Sequence, residues 1–202
     1  MQAMAARPPE IVLIRHGETE WSRAGRHTGR TDIPLTDEGR EQAFALGTLL
    51  RGRHFTLVLT SPLSRAVETC GRAGLGDVAQ ERADLMEWDY GAYEGRTTAG
   101  IREERPGWTL WRDGVPAGET AAEVGGRADH VIAELRAAGG DAAVFAHGHV
   151  LRVLAARWLG LEPEGGRFFA LDTATISVLG YERETTVVRL WNRSPGSTAD
   201  AP

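Results

Sequence analysis

Three short segments bring arginine and histidine together where an aliphatic run gives way to charge: Arg15-His16-Gly17-Glu18-Thr19, Thr60-Ser61-Pro62-Leu63-Ser64-Arg65 and His147-Gly148-His149. Guanidinium forks match the geometry of oxyanions and imidazole adds further donors, so two arginines and two histidines meeting at one place would make an oxyanion site. Taken singly, each segment has a plainer reading. An Arg-His pair at a strand end is structural or faces solvent, Ser-x-x-Ser-Arg caps a helix, and His-Gly-His is a turn. Their recurrence at three separate strand ends is what argues for one shared site.

The elements that would position these groups follow from hydrophobic periodicity. Ile11–Ile14 is a β-branched and aliphatic run ending abruptly in charge, as a buried parallel strand does. Leu57–Thr60 and Ala142–Ala146 read as further core strands. A helix is predicted over 36–51, with Thr36 as N-cap, Asp37 and Glu38 in the first turn, and Ala43, Leu46, Leu49 and Leu50 on one face. Others are predicted over 64–73, 98–104, 149–159 and from a Thr120 cap to Ala138. Ala83–Gly95 reads as an irregular segment after a short extended piece. Ile176–Tyr181 and Val187–Trp191 read as two strands joined by the polar turn Glu182–Thr186. This alternation predicts an α/β fold, a three-layer α/β/α sandwich around a mostly parallel sheet with an antiparallel edge. Ligands on such sheets bind beyond the carboxyl ends of the strands, where the three charged segments fall.

The bulk properties narrow the function. A chain of 202 residues suits one domain with a full core, spanning 1–202 with ends at about 1–9 and 192–202 whose composition suggests flexibility. A net charge of −5 argues against a nucleic-acid binder. The sequence contains no lysine, so any phosphate clamp must be built from guanidinium or imidazole. Cys70 is the only cysteine, which excludes an intrachain disulfide and argues against a Cys-based metal site. Met1–Pro9 lack the apolar core of a signal peptide and no apolar run is long enough to span a bilayer, so the cytoplasm is the expected compartment.

Leu13-Ile14-Arg15-His16-Gly17-Glu18-Thr19, followed by Gly29-Arg30-Thr31-Asp32-Ile33-Pro34-Leu35-Thr36, resembles the histidine phosphatase superfamily in its phosphoglycerate-mutase-like branch. Thr60–Ala66 resembles its second motif, Leu85-Met86-Glu87 through Gly91-Ala92-Tyr93-Glu94-Gly95 the third, and Ala146-His147-Gly148-His149 the last. The motifs occur in order from Ile11 to His149, and that order makes the resemblance specific.

The resemblance implies residue roles. His16 is the implied nucleophile, forming a phosphohistidine; it must be neutral to attack, a form that flanking guanidinium groups favour. Arg15 and Arg65 would hold the non-bridging oxygens in bidentate fashion while His147 donates a further hydrogen bond. Glu87 would protonate the leaving oxygen, then take a proton from the hydrolytic water, so acidic pH is expected to help. Ser22, Thr28, Gly29, Tyr90 and Gly148 are the implied substrate contacts, with Ser22 standing where many members carry Asn. No metal and no cofactor is implied, since the Arg and His cluster supplies the positive charge. Glu119 resembles a position that supports the pocket, although a helix cap also explains it. His149 either lines the site or begins a helix. His27, His54 and His130 have no evident partner and are expected at the surface. Trp88 and Tyr90 flank Glu87 and read either as core or as a substrate contact.

Mutases of this resemblance carry a longer insertion after the Glu motif, with extra Lys and Arg. Gly95–Gly118 is short and offers only Arg96, Arg102, Arg105 and Arg112. Hydrolysis is therefore the expected reaction, with a phosphoglycerate mutase and a catalytically silent phosphate-binding module as alternatives. Glu87–Gly95 and Trp111–Gly114 are most similar to acid-phosphatase-like and sedoheptulose-bisphosphatase-like members, which implies sugar phosphates or other small phosphomonoesters. The expected partner is thus a small phosphorylated metabolite, with no nucleic acid and no membrane, and a homodimer is the implied assembly.

Overall fold

A computed structural model describes residues 7–196; the outer parts of the two ends predicted to be flexible, 1–6 and 197–202, lie outside the described residues. The chain runs β1 (Ile11–Arg15), α1 (Glu20–Arg23), α2 (Asp37–Leu50), β2 (Leu57–Thr60), α3 (Ser64–Arg72) and β3 (Ala79–Glu81). It continues through α4 (Thr98–Glu104), α5 (Leu110–Asp113), α6 (Ala121–Ala137), β4 (Ala142–Ala146), α7 (Gly148–Trp158), β5 (Ile176–Glu182) and β6 (Thr185–Arg193). The strands form one six-stranded sheet in the order β3-β2-β4-β1-β5-β6. The first four are parallel, and β5 and β6 add the predicted antiparallel edge.

Alternate strand residues point into two separate cores. Leu13, Leu59, Ala142 and Val144 pack with Val124 and Val131 of α6 and Leu151 and Leu154 of α7. Val12, Ile14, Val58 and Phe145 pack with Leu46 and Leu50 of α2 and Cys70 of α3. Because helices dry both faces, the central strands read as unbroken apolar runs with no alternation.

Helix starts follow local chemistry. The Thr36 hydroxyl accepts from Gly39 N at the head of α2, and Thr120 with Glu123 forms a capping box on α6. That box excludes the capping role considered for Glu119.

The C-terminal hairpin departs from the prediction. Its turn is Arg183 and Glu184 alone, and β6 runs on through Asn192 and Arg193, which belong to the sheet and not to a tail. Asn192 has φ 59° beside a register shift, donates its N–H to Ser177 Oγ, and exchanges side-chain bonds with Asp172. Asn tolerates that left-handed conformation, and composition alone does not register it. Among the described residues no helix is long and apolar enough to cross a membrane.

Candidate active site

Strand order assembles the site. β4 lies between β2 and β1, with Thr60 opposite Phe145 and Arg15 opposite Ala146. Backbone pairing continues one residue further, as Ser61 N–H donates to Phe145 O at 2.9 Å and His16 N–H to Ala146 O at 3.0 Å. Ser61, His147 and His16 therefore leave the sheet side by side. Gly17 lets the turn after His16 meet the first turn of α2, since a Cβ there would lie 2.3 Å from Gly39 O.

His16 is 4% exposed, and its Nδ1 lies 2.7 Å from Gly17 O. A carbonyl only accepts, so Nδ1 carries the hydrogen and Nε2 keeps its lone pair. Burial above all, then the Arg65 and Arg15 charges, hold the imidazole well below its usual titration range. Both effects favour the neutral ring, the form that leaves the Nε2 lone pair free to react.

His147 is turned the opposite way. Arg65 Nε–H donates to its Nδ1 at 3.1 Å, so Nε2 carries the hydrogen, which points to Ser61 Oγ at 2.7 Å. Its ring centroid is 5.1 Å from that of His16. Burial, reinforced by Arg65, keeps it neutral. One histidine thus offers a lone pair and its neighbour an N–H.

Arg65 is fully buried. Its terminal nitrogens donate to the carbonyls of Thr28, Gly29 and Thr31. That loop is held from its other side by Glu94, which accepts from Gly29 N–H and Thr31 N–H. Arg15 donates Nη1 to Leu171 O, while its buried Nε has no partner among the described residues. A buried guanidinium with an orphan N–H is costly unless an acceptor meets it.

Glu87 follows one turn of 3₁₀ helix and is 4% exposed. Its Oε1 accepts from Trp88 N–H and Val150 N–H, and its Oε2 from His149 N–H, each at 2.9 Å. The carboxyl group is thereby fixed against the first turn of α7.

A cavity of about 190 Å³ is lined by Arg15, His16, Glu87, Tyr90, His149 and Arg152 among others, while Arg65 and His147 are fully buried and do not line it. Pockets for drug-sized ligands run to roughly 300–1,000 Å³, so this one suits a smaller molecule. Ser22, Thr28 and Gly148 also border it, but the Ser22 hydroxyl is engaged in the capping box of α1 with Thr19. Gly29 lies behind the wall with its N–H on Glu94. Trp88 is fully buried and belongs to the core. A larger groove of about 530 Å³ near Phe44 shares no residue with this site.

Two wall residues escaped sequence reasoning. His27, expected at the surface, packs 4.8 Å from the Tyr90 ring and 5.6 Å from Trp108, and burial lowers its pKa to about 4. Tyr90 in turn hydrogen-bonds His149 Nδ1 at 2.6 Å. Arg152 lies 4.7 Å over the Trp111 ring, donates Nε to Gly166 O, and has no acidic partner within ion-pair distance among the described residues. Its position three residues after His149 on one helix face was the available signal. His130 meets Asp84 at 3.5 Å, on the exposed side of α6.

The histidine phosphatase superfamily (branch 1) matches the chain over residues 11–194. An acid phosphatase of Mycobacterium tuberculosis is 43% identical over 183 residues, covering 89% of this chain and 90% of its own length. Sedoheptulose 1,7-bisphosphatase of Saccharomyces cerevisiae is 37% identical over 78% of this chain and 70% of its own length. The solved structure of an open reading frame from Mycobacterium tuberculosis superposes with a TM-score of 0.89 at 40% identity, covering 94% of this chain and 100% of that one.

Proposed function

We propose, since this chain belongs to the histidine phosphatase superfamily (branch 1), that it hydrolyses small phosphomonoesters through a phosphohistidine on His16. The observation that carries this reading is one small cavity holding a neutral His16 with Nε2 open, a buried orphan N–H on Arg15, and the Glu87 carboxyl.

In the first half-reaction Nε2 of His16 forms the N–P bond as the ester P–O bond breaks. Glu87 gives its proton to the departing alkoxide. Charge on the equatorial oxygens meets Arg15, and Arg65 and His147 would join it by exchanging their present acceptors, the carbonyls of Thr28, Gly29 and Thr31 and the Ser61 hydroxyl, for a fully charged oxyanion. The Gly17 carbonyl on Nδ1–H steadies the imidazolium character of the phosphorylated ring. Water then attacks phosphorus, the P–N bond breaks, and Glu87 recovers a proton. The sum is ester plus water to alcohol plus phosphate. Positive charge at each step comes from Arg and His, so EDTA leaves the rate unchanged. A para-nitrophenyl phosphate assay with and without chelator tests this, and loss of activity restored by a divalent ion would refute it.

Arg152 favours a substrate with a second anionic group. Its guanidinium borders the cavity with no carboxylate within ion-pair distance among the described residues, and the yeast relative is by name a bisphosphatase. Arg152→Met should lower kcat/KM on a sugar bisphosphate about 10-fold or more beyond its effect on the matching monophosphate, the scale of one charged hydrogen bond. Equal losses on both would assign Arg152 to packing against Trp111. The reading includes a single domain in the cytoplasm and a homodimer, the last open to light scattering.

A further inference from the structure

The proton donor stands in a segment without a hydrogen-bond ladder. Between the 3₁₀ turns Ala83–Leu85 and Gly91–Tyr93, residues 86–90 have no regular structure. Besides the bonds from α7 to the Glu87 carboxyl, an ion pair between Arg127 of α6 and Glu119 holds them. Arg127 donates Nε and Nη2 to the two carboxylate oxygens of Glu119, each at 2.8 Å, and the side chains are only 15% and 16% exposed. Arg127 Nη1 also donates to Asp84 O at 2.6 Å and Met86 O at 2.9 Å, just before Glu87. Glu119 takes the other flank. Its Oε2 accepts from Asp89 N–H at 2.9 Å, its carbonyl accepts from Trp88 Nε1–H at 2.8 Å, and its own N–H donates to Asp89 O at 3.0 Å.

Backbone on both sides of Glu87 is therefore gripped by one bidentate pair that touches neither the cavity nor His16. We infer that Arg127 and Glu119 are positioning residues for the proton donor, and that they set how far the enzyme can use poor leaving groups. This rests on the role proposed for Glu87. A rigid helix supplies the reference point, the planar fork fixes register as well as distance, and shared N–H and C=O groups transmit it to residues 86–89. Displacement by about 1 Å costs on the order of 10²-fold in a proton-transfer or attack step. The clamp residues Arg15, Arg65 and His147 make no hydrogen bond to this pair, although Arg30, in the loop that holds Arg65, lies 3.5 Å from Glu119.

The test compares first-turnover rates on a sugar phosphate and on para-nitrophenyl phosphate for wild type, Arg127→Met, Glu119→Gln and Glu87→Gln. Arg127→Met should lose about 10–100-fold on the sugar phosphate and less than about 3-fold on the nitrophenyl ester. Inhibition by inorganic phosphate should stay unchanged. Arg127→Lys should recover part of the loss by restoring a cation without the fork. Glu119→Gln preserves volume and the acceptor for Asp89 N–H, so it serves if Arg127→Met fails to fold, with the same direction of split. Equal losses on the two esters, or none in a folded variant, overturn the inference while Glu87→Gln still splits them. If Glu87→Gln shows no split, the donor assignment itself fails and the inference falls with it.

Discussion

His16→Ala loses turnover by about 10⁴–10⁶-fold, the scale on which deletion of a covalent nucleophile acts, and remains folded. Gly17 O takes the hydrogen at Nδ1 of His16, which leaves a lone pair at Nε2 on a ring that burial holds neutral. His147 presents a hydrogen at Nε2 and accepts Arg65 at Nδ1, so it has no lone pair to offer. His149 is tied by its Nδ1 to Tyr90. The structural cost is modest. Gly17 O loses its partner, worth about 1–3 kcal/mol against a stability typically of 5–15 kcal/mol, and the vacated space opens to the cavity, where water can enter. The measurement is kcat beside a circular dichroism melt. Brief exposure of the wild type to labelled substrate should leave acid-labile, base-stable label that the variant lacks. A folded His16→Ala protein retaining more than a few per cent of wild-type kcat would remove His16 from the nucleophile's role.

Glu87→Gln separates proton donation from phosphate binding. A sugar alkoxide leaves badly without a proton, whereas para-nitrophenolate leaves with little help. First-turnover rates should therefore fall by about 10²–10⁴-fold on the sugar phosphate and far less on the nitrophenyl ester. Steady-state rates on both substrates can fall together, because hydrolysis of the phosphohistidine also needs the base; a fast burst on the nitrophenyl ester identifies that case. The glutamine oxygen can still accept from Trp88 and Val150, but its NH₂ then faces the N–H of His149, so a stability loss of about 1–3 kcal/mol accompanies the change. Equal first-turnover losses on the two esters would move the donor role to another carboxyl group, with Asp89 and Glu18 the next variants to make.

The primary sequence determined the elements and the chemistry at their ends. Aliphatic runs such as Ile11–Ile14 and Ala142–Ala146 identify themselves as buried strands, and Thr36 and Thr120 mark helix starts, because these signals are carried by neighbours within a few residues. The residue types at the strand ends likewise suggest an oxyanion site. Tertiary structure decided what those residues do to one another. Nothing local states that β4 inserts between β2 and β1, yet that order is what sets Ser61 and His16 on either side of His147. The opposite tautomers of the two histidines depend on which acceptor or donor each meets, Gly17 O for one and Arg65 Nε for the other. His27 gave no periodic signal of burial because Tyr90 and Trp108 reach it from distant segments. Arg127 lies within the helix predicted from Thr120 to Ala138, and only folding places Glu119 and the carbonyls of residues 84 and 86 around its fork. Periodicity is a property of one segment, whereas strand order, tautomer and clamp arise from contacts between segments far apart in the chain, where packing sets the geometry.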